Sequence, residues 1–167
     1  MKKLFVSLLF VLTTILCVAQ NTKLPANVTL KALDGSTVSS STFQNGDKPF
    51  IISFWATWCH PCNRELNTIK DVYEEWQEET GVKLIAISID DARSASKVKP
   101  HVDGHDWPYE VYIDNNQDFK RAMNVINVPH TFIVNAQGEI VWQHTGYAPG
   151  DEEVVIEEVR KILGIEN

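Results

Sequence analysis

Two cysteines separated by two residues, at a point where an apolar run gives way to a helical pattern, constrain this chain most strongly. Residues 49–55 are almost entirely apolar, which is typical of a strand covered on both faces of a sheet. Residues 61–80 carry apolar side chains three to four positions apart, as on one helix face: Leu66, Ile69, Tyr73 and Trp76. Cys59 and Cys62 lie between these elements. The sequence therefore predicts a dithiol at the junction of a central strand and a long amphipathic helix.

The pattern after this helix predicts an α/β domain with a partly parallel sheet. Residues 82–89 form a second apolar run, and a strand, a helix and a strand in succession make a right-handed βαβ unit. Further along, residues 131–134 and 139–144 flank a turn and predict an antiparallel hairpin. A terminal helix is indicated by apolar residues at helical spacing: Val155, Val159, Ile162 and Leu163.

The remaining segments predict shorter elements. Residues 28–33 alternate toward a turn at Asp34 and Gly35, which indicates the start of a short N-terminal hairpin. Residues 109–113 favour a short strand, and residues 117–123 favour a short helix. The predicted fold class is therefore α/β, with a central mixed sheet, flanking helices and a short N-terminal β extension.

Residues 90–108 are the least regular part of the pattern. We expect a short helix over residues 94–99 at most, because Pro100, Gly104 and Pro108 follow it as breakers.

The first nineteen residues have the pattern of a signal peptide. Two lysines precede an apolar run over residues 4–18, which is shorter than the roughly 20 residues that a membrane span needs. Small residues at Cys17 and Ala19 predict cleavage after Ala19. Two alternatives stay open. One is lipid attachment at Cys17, although Leu16 stands where a small residue is usual, and the other is an uncleaved anchor helix.

Cleavage would leave one domain over residues 20–167, with an N-terminal extension over 20–48 and a core over 49–167. Export would place it in the periplasm of a bacterium, an oxidising compartment in which stray thiols pair. The formal net charge of −7 argues against a nucleic-acid partner. A disulfide across two intervening residues closes too small a loop to stabilise a fold usefully. The value of the pair must therefore lie in its reactivity.

The position of the dithiol predicts a division of labour. A thiol at the start of a helix faces unpaired main-chain N–H groups and the positive end of the helix dipole, so its pKa falls below about 8.5. Cys59 is therefore the predicted nucleophile, and Cys62, on the first turn, is the resolving thiol that attacks the mixed disulfide. Pro61 suits an early helical position, and a protonated His60 would stabilise the thiolate. A zinc site is the alternative, but the sequence lacks the second ligand pair.

Two segments resemble the thioredoxin superfamily. Residues 54–65, FWATWCHPCNRE, resemble its active-site segment. Residues 125–134, VINVPHTFIV, with Gln137-Gly138 and Gly146 after them, resemble its cis-proline loop and closing hairpin. The similarity is greatest to the periplasmic TlpA/ResA/DsbE-like branch and spans about residues 28–163. It implies a thioredoxin fold and a thiol–disulfide oxidoreductase that needs no cofactor.

The resemblance also implies which residues meet the substrate. The peptide bond between Val128 and Pro129 would be cis and would pack beside the dithiol. The backbone of Val128 would pair with an extended substrate chain, and Trp58, next to Cys59, would contact the same chain.

A glutamate after the dithiol is the third implied site residue. Glu65 matches a glutamate that this branch often carries three residues after the second cysteine, whereas Ser53 stands where cytoplasmic thioredoxins bury an acid. One helical turn beyond Cys62, Glu65 is expected to face the dithiol and shuttle its proton. The alternative is a solvated side chain or a partner of Arg64.

Other functions on this fold stay open. His130 could join Cys59, Cys62 and His60 in a copper or zinc site, which would make the protein a metal carrier. A thiol peroxidase needs a hydroxyl three residues before its reactive cysteine, and Ala56 there argues against one. The remaining histidines have no recognisable partners and are expected on the surface: His101, His105 and His144.

The preferred hypothesis is an exported oxidoreductase that acts as a reductant on cysteines of other exported proteins, for example in cytochrome c maturation. A membrane electron donor would restore its dithiol, and we expect a monomer without a bound metal. A disulfide oxidase or isomerase is the alternative, because pairs of this design span roughly −120 to −270 mV.

Overall fold

The structure is a computed structural model, and it describes residues 22–165. The predicted signal peptide at residues 1–19, its cleavage after Ala19 and the alternative use of Cys17 lie outside the described residues and stay predictions. Between residues 22 and 165, none of the helices combines the length and the apolar character of a membrane span.

Within the described residues, one mixed sheet of seven strands organises the fold, in the order β2-β1-β5-β4-β3-β6-β7. The strands are β1 (Thr29–Ala32), β2 (Thr37–Ser39), β3 (Phe50–Trp55), β4 (Lys83–Ser88), β5 (Glu110–Ile113), β6 (His130–Val134) and β7 (Ile140–Thr145). Strands β3, β4 and β5 are parallel, and the other neighbours pair antiparallel. All six residues of β3 are buried, as is typical of an interior strand that is covered on both faces. The predicted mixed α/β sheet is confirmed.

Four α-helices pack around the sheet in the part of the chain that the structure describes: α1 (His60–Thr80), α2 (Val98–His105), α3 (Asp118–Ala122) and α4 (Asp151–Leu163). The predicted apolar face of α1 is buried, and α1 lies against α4. Gly81 caps the end of α1: its φ of 66° lies in the left-handed region, and its N–H donates to the Gln77 carbonyl. The long helix therefore has a fixed end far from the dithiol.

The N-terminal hairpin extends the sheet. Strands β1 and β2 flank the turn at Asp34 and Gly35, and β1 also pairs antiparallel with β5 through Lys31 and Ile113. The predicted N-terminal β extension is confirmed, with its second strand in a serine- and threonine-rich stretch.

The prediction for residues 90–108 was wrong about Pro100 and Gly104, whereas Pro108 does lie beyond the helix. A short 3₁₀ helix (Ala95–Lys97) leads into α2, which runs through Pro100 and Gly104. Pro100 is the third residue of α2, where a main-chain N–H has no partner inside the helix, so the proline removes no hydrogen bond. Val98 and Val102, four residues apart, are buried and hold α2 against the core.

Candidate active site

The dithiol segment links the buried end of β3 to the start of α1. The N–H of Cys59 donates to the carbonyl of Ala56 at 3.0 Å, which closes a tight turn directly after the strand. Cys59 is the N-cap of α1, and its Sγ accepts a hydrogen bond from the N–H of Cys62 at 3.3 Å. The two sulfur atoms form a disulfide. The predicted junction of strand, dithiol and helix is therefore present.

The surroundings of the two sulfurs differ. Cys59 keeps 5% of its surface exposed, whereas Cys62 is fully buried. The helix dipole and the Cys62 N–H both favour negative charge on the Cys59 sulfur once the disulfide is reduced. Pro61 occupies the second helical position, and His60 and Pro61 are both exposed. A visiting sulfur can therefore reach Cys59 before it reaches Cys62.

The proline loop lies beside the dithiol. The peptide bond between Val128 and Pro129 is cis, as the resemblance implies. Because His130 at the start of β6 pairs with Phe54 near the end of β3, the sheet brings Pro129 to the edge where the dithiol begins. Within residues 22–165, neither the N–H nor the carbonyl of Val128 makes a main-chain hydrogen bond. This backbone is therefore available to an extended chain.

The outer rim of the site is apolar. Trp58 is 63% exposed directly before Cys59, and Ile126 is 82% exposed in the proline loop. The sequence singled out Trp58 but not Ile126.

Glu65 is buried below the dithiol. Only 3% of its surface is exposed, and its carboxylate accepts hydrogen bonds from Ser53 Oγ at 3.1 Å and Thr131 Oγ1 at 2.7 Å. Burial raises its pKa to about 7, against the lowering effect of these two hydroxyls. The alternative of a solvated side chain or a partner of Arg64 was wrong, because residues of β3 and β6 enclose the carboxylate.

Sequence reasoning missed Asp90, which holds the turn before the dithiol. Its fully buried carboxylate accepts hydrogen bonds from the N–H of Thr57 at 2.8 Å and from Thr57 Oγ1 at 2.7 Å. Ser88 Oγ donates to the same carboxylate at 2.9 Å. The sequence did contain a signal for Asp90. It is an acid directly after the apolar run of residues 82–89, whose parallel neighbour β3 carries the dithiol at the same edge of the sheet.

The expectation of surface positions without partners was wrong for all three remaining histidines. His144 is partly buried, its ring stacks on Trp142, and its Nε2 lies 3.4 Å from Asp151 Oδ2.

His101 and His105 are partly buried and stack with their ring centroids 4.4 Å apart. His101 Nε2 lies 2.7 Å from Asn63 Oδ1, and Asn63 Nδ2 donates to the carbonyl of Thr57. Burial and the neighbouring His105 lower the pKa of His101. The pair therefore links α2 to the dithiol turn, which a surface histidine would not do.

The geometry does not bring His130 to the cysteines. Neighbouring residues of a strand point to opposite faces, and Thr131 points toward Glu65 of α1, so His130 points to the other face. There its ring stacks on Phe132 at 4.2 Å, and its Nε2 lies 3.2 Å from Gln143 Oε1. Across residues 22–165, the structure contains no group of three or more His, Cys, Asp and Glu side chains placed to hold a metal ion.

With the helix, the disulfide and the proline loop in these positions, the chain is a thioredoxin-like thiol–disulfide oxidoreductase. It belongs to the AhpC/TSA family, because the profile of that family matches residues 21–143. An uncharacterized thioredoxin-like protein from Porphyromonas gingivalis, solved in solution, is 53% identical. That match covers 86% of this chain and 94% of the other, with a TM-score of 0.75.

Curated relatives carry a more specific name. The thiol-disulfide oxidoreductase ResA of Halalkalibacterium halodurans is 29% identical over 137 residues, which are 82% of this chain and 73% of that protein. The protein of the same name in Oceanobacillus iheyensis is 33% identical over 108 residues, or 65% of this chain and 54% of that protein. The thiol–disulfide redox chemistry is thereby supported at the level of the class.

Proposed function

We propose that this protein is an exported reductant of protein disulfides that works through Cys59 and Cys62. The observation that carries the proposal is the position of Cys59, whose sulfur caps α1 and accepts the Cys62 N–H while the cis-proline loop lies alongside. Its substrates would be cysteines of other exported proteins in the periplasm, with apocytochrome c as one example. A membrane-bound dithiol protein would return it to the reduced form, and we expect it to act as a monomer.

The reaction proceeds through two exchanges of sulfur. The Cys59 thiolate attacks one sulfur of the substrate disulfide, which forms a mixed disulfide and releases the other substrate sulfur as a thiolate that takes up a proton. Cys62 then loses its proton and attacks Cys59 Sγ, so the bond to the substrate breaks and the second substrate thiol leaves. The two electrons come from the protein, which ends as the disulfide described above.

Glu65 would accept the Cys62 proton in the second exchange. It lies one helical turn beyond Cys62, and an acid with a pKa of about 7 can both take up and release a proton near neutrality. Its two partners are hydroxyl groups, which can reorient when the carboxyl group changes its protonation state.

The substrate chain would lie across the rim of the site. The free backbone of Val128 can pair with an extended segment, Pro129 keeps that backbone beside the sulfurs, and exposed Trp58 can cover the apolar part of the segment. His60 and Pro61 would tune the Cys59 thiolate from the first turn of α1. Main-chain pairing would supply affinity without requiring one particular sequence.

Membership of the AhpC/TSA family does not favour a thiol peroxidase for this chain. The residue three positions before Cys59 is Ala56, which has no hydroxyl to orient a peroxide. A metal carrier built on His130 is also not favoured, because that side chain points away from Glu65 and α1.

Insulin reduction with dithiothreitol tests the assigned roles. Cys59→Ser should abolish the activity, and Cys62→Ser should accumulate a mixed disulfide with the substrate on non-reducing gels. Equilibration with glutathione tests the direction. A potential near the thioredoxin end of about −270 mV supports a reductant, and one near −120 mV overturns it in favour of an oxidase. N-terminal sequencing of the periplasmic protein tests export, with Gln20 expected as the first residue.

A further inference from the structure

Beside Trp58 lies a groove whose charged residues have no role in the reaction described above. It encloses about 400 Å³ and is lined, among others, by Trp58, Asp91, Arg93, Lys97 and Gln117. Asp91 follows β4 and Gln117 follows β5, whereas the proline loop precedes β6. Because β3 lies between β4 and β6, the groove and the proline loop flank the dithiol from opposite sides. A chain that crosses Cys59 from the proline loop therefore reaches the groove.

The groove carries more positive than negative charge. Arg93 Nε and Nη2 both donate to one oxygen of Asp91, at 2.9 and 2.6 Å, and the Arg93 side chain stays 91% exposed. Lys97 is exposed, and within residues 22–165 its ammonium group has no ion-pair partner. Two cations thus face one carboxylate, in a chain whose formal net charge is −7. This local charge is opposite in sign to that of the whole protein.

The position of the groove sets which part of a substrate would enter it. Trp58 forms one wall and is the residue directly before Cys59, so the groove begins next to the reactive sulfur. An extended chain advances about 3.3 Å per residue, and side chains two positions apart point the same way. A substrate side chain two residues from its cysteine can therefore reach the cations, while its methylene groups lie against the indole.

We propose that this groove binds an acidic side chain, Asp or Glu, located two residues from the reacting cysteine of the substrate. The inference rests on the proposed function, because it names the substrate class for that same dithiol. Exposed ion pairs contribute little to binding energy, but they select among partners and speed their encounter. The groove thus confers a preference on a site whose main-chain pairing alone would accept many sequences.

Peptides with a single cysteine, blocked as a disulfide with 2-thiopyridine, test the proposal. In one series the residue two positions before the cysteine is Glu, Gln or Lys. In a second series the residue two positions after the cysteine is varied in the same way. The reduced protein releases thiopyridone as its mixed disulfide with the peptide forms. We expect kcat/KM to fall in the order Glu, Gln, Lys, with a Glu-to-Lys ratio of about five at low salt that approaches one at high salt.

Two charge reversals distinguish an effect of the groove on this ratio from an effect of the net charge of the whole protein. Lys97→Glu should lower the Glu-to-Lys ratio at least threefold. Lys99→Glu is the matched control, because Lys99 pairs with Asp103 and does not line the groove, so the ratio should stay unchanged. A ratio of one in the unmodified protein, or equal effects of both reversals, would overturn the groove and leave the oxidoreductase intact. Failure to turn over any peptide would overturn both.

Discussion

Asp90 and Glu65 are both buried carboxylates next to the dithiol elements, yet their hydrogen-bond partners differ in kind. Asp90 accepts from the main-chain N–H of Thr57 as well as from the hydroxyls of Thr57 and Ser88. Within residues 22–165, Glu65 accepts from two hydroxyls only, those of Ser53 and Thr131. A main-chain N–H can only donate, whereas a hydroxyl can donate or accept. The partners of Asp90 therefore suit a carboxylate, and those of Glu65 suit either protonation state.

This difference in partners matches a difference in role: Asp90 holds a turn in place, whereas Glu65 can transfer a proton. Asp90 fastens the turn that carries Trp58 and Cys59, because Thr57 is bound through both its backbone and its side chain. Glu65 sits where burial raises its pKa to about 7, so it can exchange a proton close to neutrality. The number of hydrogen bonds does not distinguish these two roles. They differ in whether the partners can bond both the carboxylate and the protonated carboxyl group.

The largest effect that would test this contrast is expected for Asp90→Ala. Buried donors that lose their acceptor each cost about 1–3 kcal/mol, so losing this carboxylate should lower the free energy of unfolding by about 4 kcal/mol. Urea unfolding of the oxidised protein measures it. Asp103→Ala removes the same type of residue from an exposed i, i+4 pair and should cost less than about 0.5 kcal/mol. Similar losses for both variants would show that Asp90 does not fasten the turn.

The pH dependence of stability tests whether the pKa of Glu65 is raised in the folded protein. An acid whose pKa is about 7 in the fold and 4.5 in the unfolded chain costs no stability below pH 4.5. As the pH rises from 4.5 to 7, the unfolded state loses its proton first, so this group lowers stability by about 3 kcal/mol in total. Glu65→Gln should therefore stabilise the oxidised protein above pH 7 but not near pH 4.

The control for this measurement lies on the same helix. Glu75 of α1 is exposed, and Glu75→Gln should change stability by less than about 0.5 kcal/mol, similarly at both pH values. A Glu65→Gln effect that stays constant between pH 4 and pH 8 would show that Glu65 does not titrate with a raised pKa.

Local patterns were sufficient to predict the centre of the fold. An apolar run, a dithiol and a helical repeat placed β3, Cys59 and α1 correctly, because each depends on neighbouring residues in the chain. Glu65 was singled out by the resemblance to the TlpA/ResA/DsbE-like branch, and its role in proton transfer stays a prediction. The acidic start and basic end of α4 also lie where the helix dipole favours them.

The contact between Asp90 and Thr57 and the contact between His101 and Asn63 could not be predicted in the same way, because the partners are distant in sequence. Thr57 and Asp90 are 33 residues apart, and Asn63 and His101 are 38 apart. Only the parallel pairing of β3 with β4 brings the first pair together. Pro100 was misjudged for a local reason, since a proline breaks a helix only beyond its first turn. The face of the sheet to which His130 points depends on the pairing of β6 with β3, and the sequence alone did not determine that pairing.

A smaller effect is expected on activity when Glu65 loses its ability to accept a proton. Glu65→Gln should lower kcat for insulin or peptide reduction roughly tenfold to hundredfold without raising KM, because only the second exchange needs the proton transfer. The mixed disulfide should accumulate in single-turnover experiments. Glu75→Gln, on the exposed face of α1, should leave kcat unchanged. A fall in kcat/KM caused by KM alone would assign Glu65 to substrate binding instead.

The smallest expected effect concerns the hydroxyls that make Glu65 different from Asp90. Thr131 donates at 2.7 Å and Ser53 at 3.1 Å, and both hydrogen bonds lower the pKa of Glu65 against the effect of burial. Thr131→Val keeps the shape but removes the donor, so the pKa of Glu65 should rise further above 7, by an amount worth about 1 kcal/mol. The pH at which kcat reaches half its maximum should move upward by nearly one unit.

Thr131→Ser retains the hydroxyl and should leave that midpoint in place, while Ser53→Ala should move it less than Thr131→Val, because its hydrogen bond is longer. If Thr131→Val lowered kcat at every pH without moving the midpoint, the hydroxyl would only hold the carboxyl group in position. Glu65 would then resemble Asp90, and the reversibility of its contacts would have no part in the proton transfer.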